Sequence, residues 1–160
     1  MKMRIPAILV AVAAGLALTA CGSQSEPAAE TDPDMMPGVS VENARLMLPA
    51  VAGNPAAVYF DLAYEGDRPA VVRKAEVAGA EETMMHEMRD VNGVMEMQDL
   101  TQVPLTKGGT VTFEPAGKHV MASGLGEDVI AGGTVEVTLT FVGGDKASFP
   151  AEVRAAGDER

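Results

Sequence analysis

The sequence predicts an all-β domain, built as a β-sandwich or a small barrel. Along residues 38–154, short runs rich in β-favouring residues are separated by Gly, Pro, Asn and Asp. In the clearest run, Val135–Phe141, apolar residues alternate with Glu and Thr, which is the period of a strand with one buried face. No long segment has the period of an amphipathic helix. Many short strands with frequent turns are typical of sandwiches and barrels.

Nine strands are predicted in this domain. They are Val39–Met47, Ala56–Tyr64, Ala70–Val77, Thr83–Arg89, Val94–Gln98, Thr110–Glu114, Lys118–Ala122, Val135–Phe141 and Ala147–Val153. Asn92 and Gly93 stand between the fourth and the fifth, and both tolerate the positive φ of a two-residue hairpin turn. A hairpin closed there pairs Met88 with Met97 and places His86 diagonal to Met97.

Residues 1–20 predict an export signal, because Lys2 and Arg4 precede an apolar run that is short for a membrane span. The run ends in Leu18-Thr19-Ala20-Cys21, which resembles the lipobox of bacterial lipoproteins. That resemblance implies lipidation of Cys21. We therefore expect a periplasmic lipoprotein held on the inner or the outer membrane by its lipid anchor. The alternative is an ordinary secreted protein in which Cys21 is a stray thiol.

The segments that flank the domain are polar. Residues 21–37 are rich in Ser, Pro, Glu and Asp and predict a flexible acidic tether, and residues 155–160 form a short tail. The formal net charge is −11, and it becomes −13 without residues 1–20, which carry two basic residues and no acidic one. So acidic a chain lacks the clustered basic surface that nucleic acid requires. With a single cysteine the chain forms no internal disulfide. We also expect the protein to be a monomer.

Two short segments combine histidine with methionine. Residues 84–97 contain five methionines and one of the only two histidines of the chain. Alternation in the predicted hairpin gives one face four candidate ligands: His86, Met88, Met95 and Met97. A further predicted strand carries His119 and Met121 on one face.

Thioether sulfur is a soft ligand that selects Cu(I), and imidazole adds affinity for either oxidation state of copper. In an oxidising compartment thiols form disulfides, whereas thioethers remain available. Imidazole and thioether ligands together therefore suit extracytoplasmic Cu(I). Methionine is also an ordinary filler of protein cores, so the composition alone leaves a metal-free structural lipoprotein open. A blue-copper electron carrier requires a free thiolate, and no catalytic triad stands out, so we expect no enzyme.

The spacing of these residues resembles a known signature. Ten residues separate His86 from Met97, twenty-one separate Met97 from His119, and one separates His119 from Met121. This is similar to the His-x10-Met-x21-His-x-Met pattern of the periplasmic copper chaperones of the PCuAC family. Further similarity lies in Ala57-Val58-Tyr59-Phe60 and in Gly117-Lys118-His119-Val120-Met121.

The resemblance implies a cupredoxin-like Greek-key β-sandwich that holds Cu(I) through His86, Met97, His119 and Met121. Met88, on the same face of the predicted hairpin, is a candidate accessory ligand. It also implies delivery of copper to the CuA centre in subunit II of cytochrome c oxidase, directly or through another copper carrier. Copper sequestration for resistance is the alternative that the acidic, Met-containing tether favours. Residues 155–160 contain neither His nor Met, so we expect no second copper site in the tail.

Overall fold

The computed structural model describes residues 35–158. The predicted signal segment, Cys21 and most of the predicted tether lie outside the described residues. The described residues form ten strands: β1 Val39–Met47, β2 Ala56–Tyr64, β3 Ala70–Val77, β4 Glu82–Val91, β5 Val94–Asp99, β6 Val103–Leu105, β7 Gly109–Phe113, β8 Lys118–Ser123, β9 Thr134–Phe141 and β10 Lys146–Arg154. Within residues 35–158, no helix is long and apolar enough to span a bilayer.

All ten strands belong to one mixed sheet in the order β5-β4-β8-β7-β2-β1-β10-β9-β3-β6, with an additional pairing of β8 with β2. Only the pairs β1–β10 and β7–β8 are parallel. The sheet folds over on itself, because β4 and β3 lie seven places apart in the order yet make contact. There the Thr83 hydroxyl donates a hydrogen bond to the carbonyl oxygen of Ala75 at 2.6 Å.

The core lies between the facing parts of this folded sheet. Alternate residues of β2 are buried, and Phe60 on that strand stacks on Phe113 with ring centroids 4.2 Å apart. Phe149 of β10 completes the aromatic group at 5.1 Å from Phe60. The apolar residues of β9 face the same interior, which confirms the period of two predicted for that strand. Burial of these side chains supplies most of the stability of such a domain.

The all-β prediction is confirmed, and all nine predicted strands are present. The bounds of β1, β2 and β3 are as predicted, whereas β6 was not predicted. Strand β6 has only three residues, and the central one is Pro104, which has no backbone N–H to donate to a sheet. Such a short segment with a proline carries no strand signal in the sequence. It lies at the edge of the sheet against β3, where a proline is tolerated.

Met35 and Met36 stand at the end of the segment that the sequence assigns to the tether. Both side chains are partly buried and pack against the core. The carbonyl oxygen of Met36 also accepts a hydrogen bond from the Val39 N–H at 3.0 Å, just where β1 begins. The ordered domain therefore starts before β1, and these two methionines are packing residues.

Candidate metal centre

Strand β4 lies between β5 and β8 near one end of the sheet. Its turn into β5 has positive φ at Asn92 and Gly93, 56° and 84°, which is the signature of a type I′ turn. In the resulting register Met88 lies opposite Met97, and His86 is diagonal to Met97. The predicted hairpin and its register are therefore confirmed.

On its other side, β4 pairs with β8 and brings the two histidines together. His86 lies directly opposite His119, and Met84 lies opposite Met121. The two imidazole rings are tilted by 44°, with centroids 5.8 Å apart. One face of these three strands thus carries seven imidazole and thioether side chains: Met84, His86, Met88, Met95, Met97, His119 and Met121.

The opposite face of the same strands belongs to the core. Met85 of β4 and Val120 and Ala122 of β8 are buried there. Because side chains alternate along a strand, this burial directs the histidines and their neighbouring methionines to the outer face. The candidate centre therefore lies on the outside of the sheet, over a well-packed interior.

His119 is held in one orientation. Its Nδ1 lies 3.1 Å from the carbonyl oxygen of Gly117, which can only accept a hydrogen bond, so Nδ1 carries the proton in the neutral ring. The lone pair of Nε2 then points outward, and the sulfur of Met97 lies 3.3 Å from it. Two lone-pair donors therefore face each other across a short gap.

His86 is oriented in the opposite sense. Its Nε2 lies 3.2 Å from a carboxylate oxygen of Asp99, the residue directly opposite on β5. The carboxylate accepts, so Nε2 carries the proton and Nδ1 keeps a lone pair in the neutral ring. That Nδ1 is buried and has no hydrogen-bond partner among the residues that the structure describes. Both histidine side chains are buried, and each neutral ring offers one unprotonated nitrogen.

The methionines of the face differ in exposure. Met97 is 53% exposed, whereas Met121 and Met88 are partly buried. Met121 follows His119 by two residues on the same face of β8. The structure thus brings His86, His119 and Met97 into one group and places Met121 beside it.

Asp99 is a residue of this centre that the sequence analysis missed. The predicted fifth strand stopped at Gln98, one residue too early. The signal was nevertheless available, because continuing the predicted hairpin register by two pairs beyond Met88 and Met97 sets Asp99 opposite His86. In the described part of the chain, no three His, Cys, Asp or Glu side chains group closely enough to hold a metal ion.

An ion pair between the residues next to the two histidines supports the alignment of β4 with β8. The Glu87 carboxylate accepts hydrogen bonds from Lys118 and Arg89, each at 2.6 Å. The hydrogen bond from Lys118, followed by the one from Arg89, lowers the pKa of Glu87 below its ordinary value of 4.5. Glu87 and Lys118 are directly opposed, so their pairing favours the register that sets His86 against His119.

The fold and this centre together define a class of protein, namely an all-β domain that carries histidine and methionine on one outer face of its sheet. Residues 39–153 match the family described as "Putative lipoprotein LpqE-like", and the chain belongs to that family. A relative from Leifsonia xyli subsp. xyli (strain CTCB07), named "Putative lipoprotein Lxx21020", is 29% identical over 140 residues, which are 87% of this chain and 83% of the relative.

Solved structures share the fold. The copper-bound PCuAC domain from PmoF2 is 22% identical, with a TM-score of 0.58 over 74% of this chain and 93% of that domain. The solution structure of CuI-DR1885 from Deinococcus radiodurans is 25% identical, with a TM-score of 0.52 over 82% of this chain and 85% of that protein. The cupredoxin-like fold and the resemblance to PCuAC proteins are thereby confirmed, while the four-residue ligand set stays a prediction.

We predict that Glu87→Gln destabilises the domain near neutral pH. The loss is at most about 1 kcal/mol in the free energy of unfolding, since the pair is partly exposed. A lowered pKa means that the ionised carboxylate stabilises the folded state above pH 4.5, and that this contribution disappears as the pH falls through the folded-state pKa. Urea unfolding of both proteins at pH 7 and near pH 3 measures it.

Glu82→Gln, at the exposed start of the same strand, is the control for the loss of one negative charge. An equal effect of both substitutions, or an effect of Glu87→Gln that persists at low pH, would contradict the role assigned to the ion pair.

Proposed function

We propose that this protein binds one Cu(I) ion as cargo through His86, Met97, His119 and Met121. The observation that carries the proposal is the 3.3 Å approach of His119 Nε2 to Met97 Sδ. In the neutral ring whose proton lies on Nδ1, both of these atoms present a lone pair, and together they can bind one cation between them. The solved PCuAC domain from PmoF2, which is copper-bound, supports this choice of cation.

The distance itself suits two ligands of one ion. Taking the zinc bond lengths of about 2.0 Å to imidazole nitrogen and about 2.3 Å to thiolate sulfur as a guide, a separation near 3.3 Å corresponds to an angle of about 100° at the metal, near the tetrahedral value. His86, opposite His119, adds a second nitrogen, and Met121 adds a second sulfur. A set of two neutral nitrogens and two thioethers stabilises Cu(I) over Cu(II) and suits zinc poorly.

Each histidine also has the hydrogen-bond partner that metal-bound imidazole requires. A ligating histidine donates its second ring N–H to a carboxylate or a carbonyl, which fixes the tautomer and the ring plane. Gly117 supplies the carbonyl for His119, and Asp99 supplies the carboxylate for His86. We propose that Nδ1 of His86 and Nε2 of His119 are the two ligand atoms.

We further propose that the site serves a copper chaperone rather than an enzyme. Half-exposed Met97 leaves one side of the site open, so an incoming ligand of another protein can replace it in a stepwise exchange. The proposed acceptor is the CuA centre of cytochrome c oxidase subunit II, reached directly or through another copper carrier. Lipidation of Cys21 places the domain on a membrane in the periplasm, and the description of the family as lipoproteins supports the anchor.

We predict that His119→Gln weakens Cu(I) binding by more than about 100-fold. Loss of a residue that only hydrogen-bonds to a ligand typically lowers metal affinity by about 10–100-fold, and loss of a ligand itself costs more. Competition with a chromophoric Cu(I) chelator measures the affinity, and circular dichroism verifies the fold. Unchanged affinity in a folded variant would refute the ligand set.

Asp99→Ala should weaken Cu(I) binding by about tenfold, the lower end of the usual range, since this carboxylate is largely exposed to water. Glu96→Ala is the matched control, because it removes the same charge from β5 at a position that alternation directs to the other face. The same chelator competition applies. Equal losses in the two variants would indicate a general charge effect and no role for Asp99 in orienting His86.

Deletion of the protein should lower CuA occupancy in cells grown at low copper, and added copper should restore it. Optical spectra of the purified oxidase report CuA directly. The control strain carries the His119→Gln protein at normal abundance and should behave like the deletion. Normal CuA together with copper-sensitive growth would overturn delivery and indicate sequestration.

A further inference from the structure

The hairpin of β4 and β5 exposes an unusual amount of apolar surface. Among the described residues, seven large hydrophobic side chains are exposed, and four of them lie on this hairpin: Met84, Val94, Met95 and Met97. Strand β5 is also an edge strand, with all six residues exposed. An exposed edge with apolar side chains promotes aggregation, so its presence calls for a function that needs it.

Three of the hairpin methionines share one small area. Met88 lies directly opposite Met97, and Met95 precedes Met97 by two residues on the same face, which makes it diagonal to Met88. Directly opposed Cβ atoms in such a pair are about 4.5–5.5 Å apart and diagonal positions about 7–8 Å, both within reach of long side chains. Because methionine has three flexible bonds, the three sulfurs can converge above the sheet.

Met88, Met95 and Met97 form a methionine triad. This triad is connected to the histidines through Met97. Met97 Sδ lies 3.3 Å from His119 Nε2, so this sulfur belongs to both groups. Met88 and Met95 lie on the side toward the turn, whereas His86 and His119 lie on the side away from it. An ion can therefore pass from one group to the other while it stays bound to Met97.

The charge around the turn favours cations. Asp90 stands opposite Met95, is exposed, and accepts a hydrogen bond from the Gly93 N–H at 2.7 Å through one carboxylate oxygen. It adds to a strongly acidic chain, whose field raises the local concentration of cations. Three thioethers without any nitrogen select a soft monovalent ion, Cu(I) or Ag(I), over Cu(II) or Zn²⁺.

We infer that Met88, Met95 and Met97 form a second, thioether-only Cu(I) site in which the ion is first captured. This inference rests on the proposed function, because the ion then moves to the histidines. The move is a ligand exchange without redox change: bonds to Met88 and Met95 break, bonds to His119, His86 and Met121 form, and Met97 stays bound. Between the thioethers and two neutral imidazole rings this exchange moves no proton, because the ligand nitrogen of each neutral ring carries none.

The first test uses a chain without imidazole ligands. The double variant His86→Gln, His119→Gln should still bind one Ag(I), more weakly than the parent, as measured by isothermal titration calorimetry. Adding Met88→Leu and Met95→Leu should abolish that binding. Adding Met84→Leu should leave it unchanged, because Met84 is an exposed methionine on the same face outside the triad. Met and Leu have similar volumes, so the fold should persist, and circular dichroism verifies it.

Absence of Ag(I) binding in the folded double variant would overturn the capture site, as would binding that survives the two leucine substitutions. Neither result would affect the four-residue site, which is tested separately by Cu(I) binding of the parent and of His119→Gln.

A second measurement concerns rate. In the chain that retains both histidines, Met95→Leu should slow the uptake of Cu(I) from a chelator several-fold in stopped-flow mixing, whereas Met84→Leu should not. Equal uptake rates in the two variants would contradict capture at the triad.

Discussion

Strand β4 pairs with β5 on one side and with β8 on the other, and this double pairing determines which side chains share a face. A shift of one residue in either register would turn the histidines or the methionines into the core. Two local features oppose such a shift. The Asn92–Gly93 turn sets the register with β5, and the Glu87–Lys118 ion pair favours the register with β8. On the inner face, burial of Val120 resists the same displacement.

The two histidines are enclosed although they stand on the outer face. Gly117 and Asp99 satisfy one nitrogen of each ring, while Nδ1 of His86 is buried without a partner in residues 35–158. An unsatisfied buried polar atom costs about 1–3 kcal/mol in the folded protein. Binding of the proposed Cu(I) ion at that nitrogen would recover this cost. Met97 remains half exposed, which is the access that the proposed exchange with a partner requires.

Much of this arrangement could be predicted from local sequence, and some of it could not. The hairpin register follows from the Asn-Gly turn, since adjacent strands joined by two residues have one preferred alignment. The pairing of His86 with His119 joins strands separated by more than twenty residues, and no local signal announces it. The spacing shared with PCuAC proteins predicted their proximity, while their ring orientations depend on Gly117 and Asp99 and required the structure.

The edge position of β5 explains why the face proposed to bind copper and an aggregation-prone strand coincide here. A strand paired with neighbours on both edges would hold its methionines in fixed packing, where a partner protein could not reach them. An edge strand lets Met95 and Met97 change rotamer without disturbing the core. Protection against unwanted pairing comes instead from charge, because Glu96 and Asp99 interrupt the apolar residues of a strand only six residues long. Solubility and access to sulfur are thus achieved on the same strand by different residues.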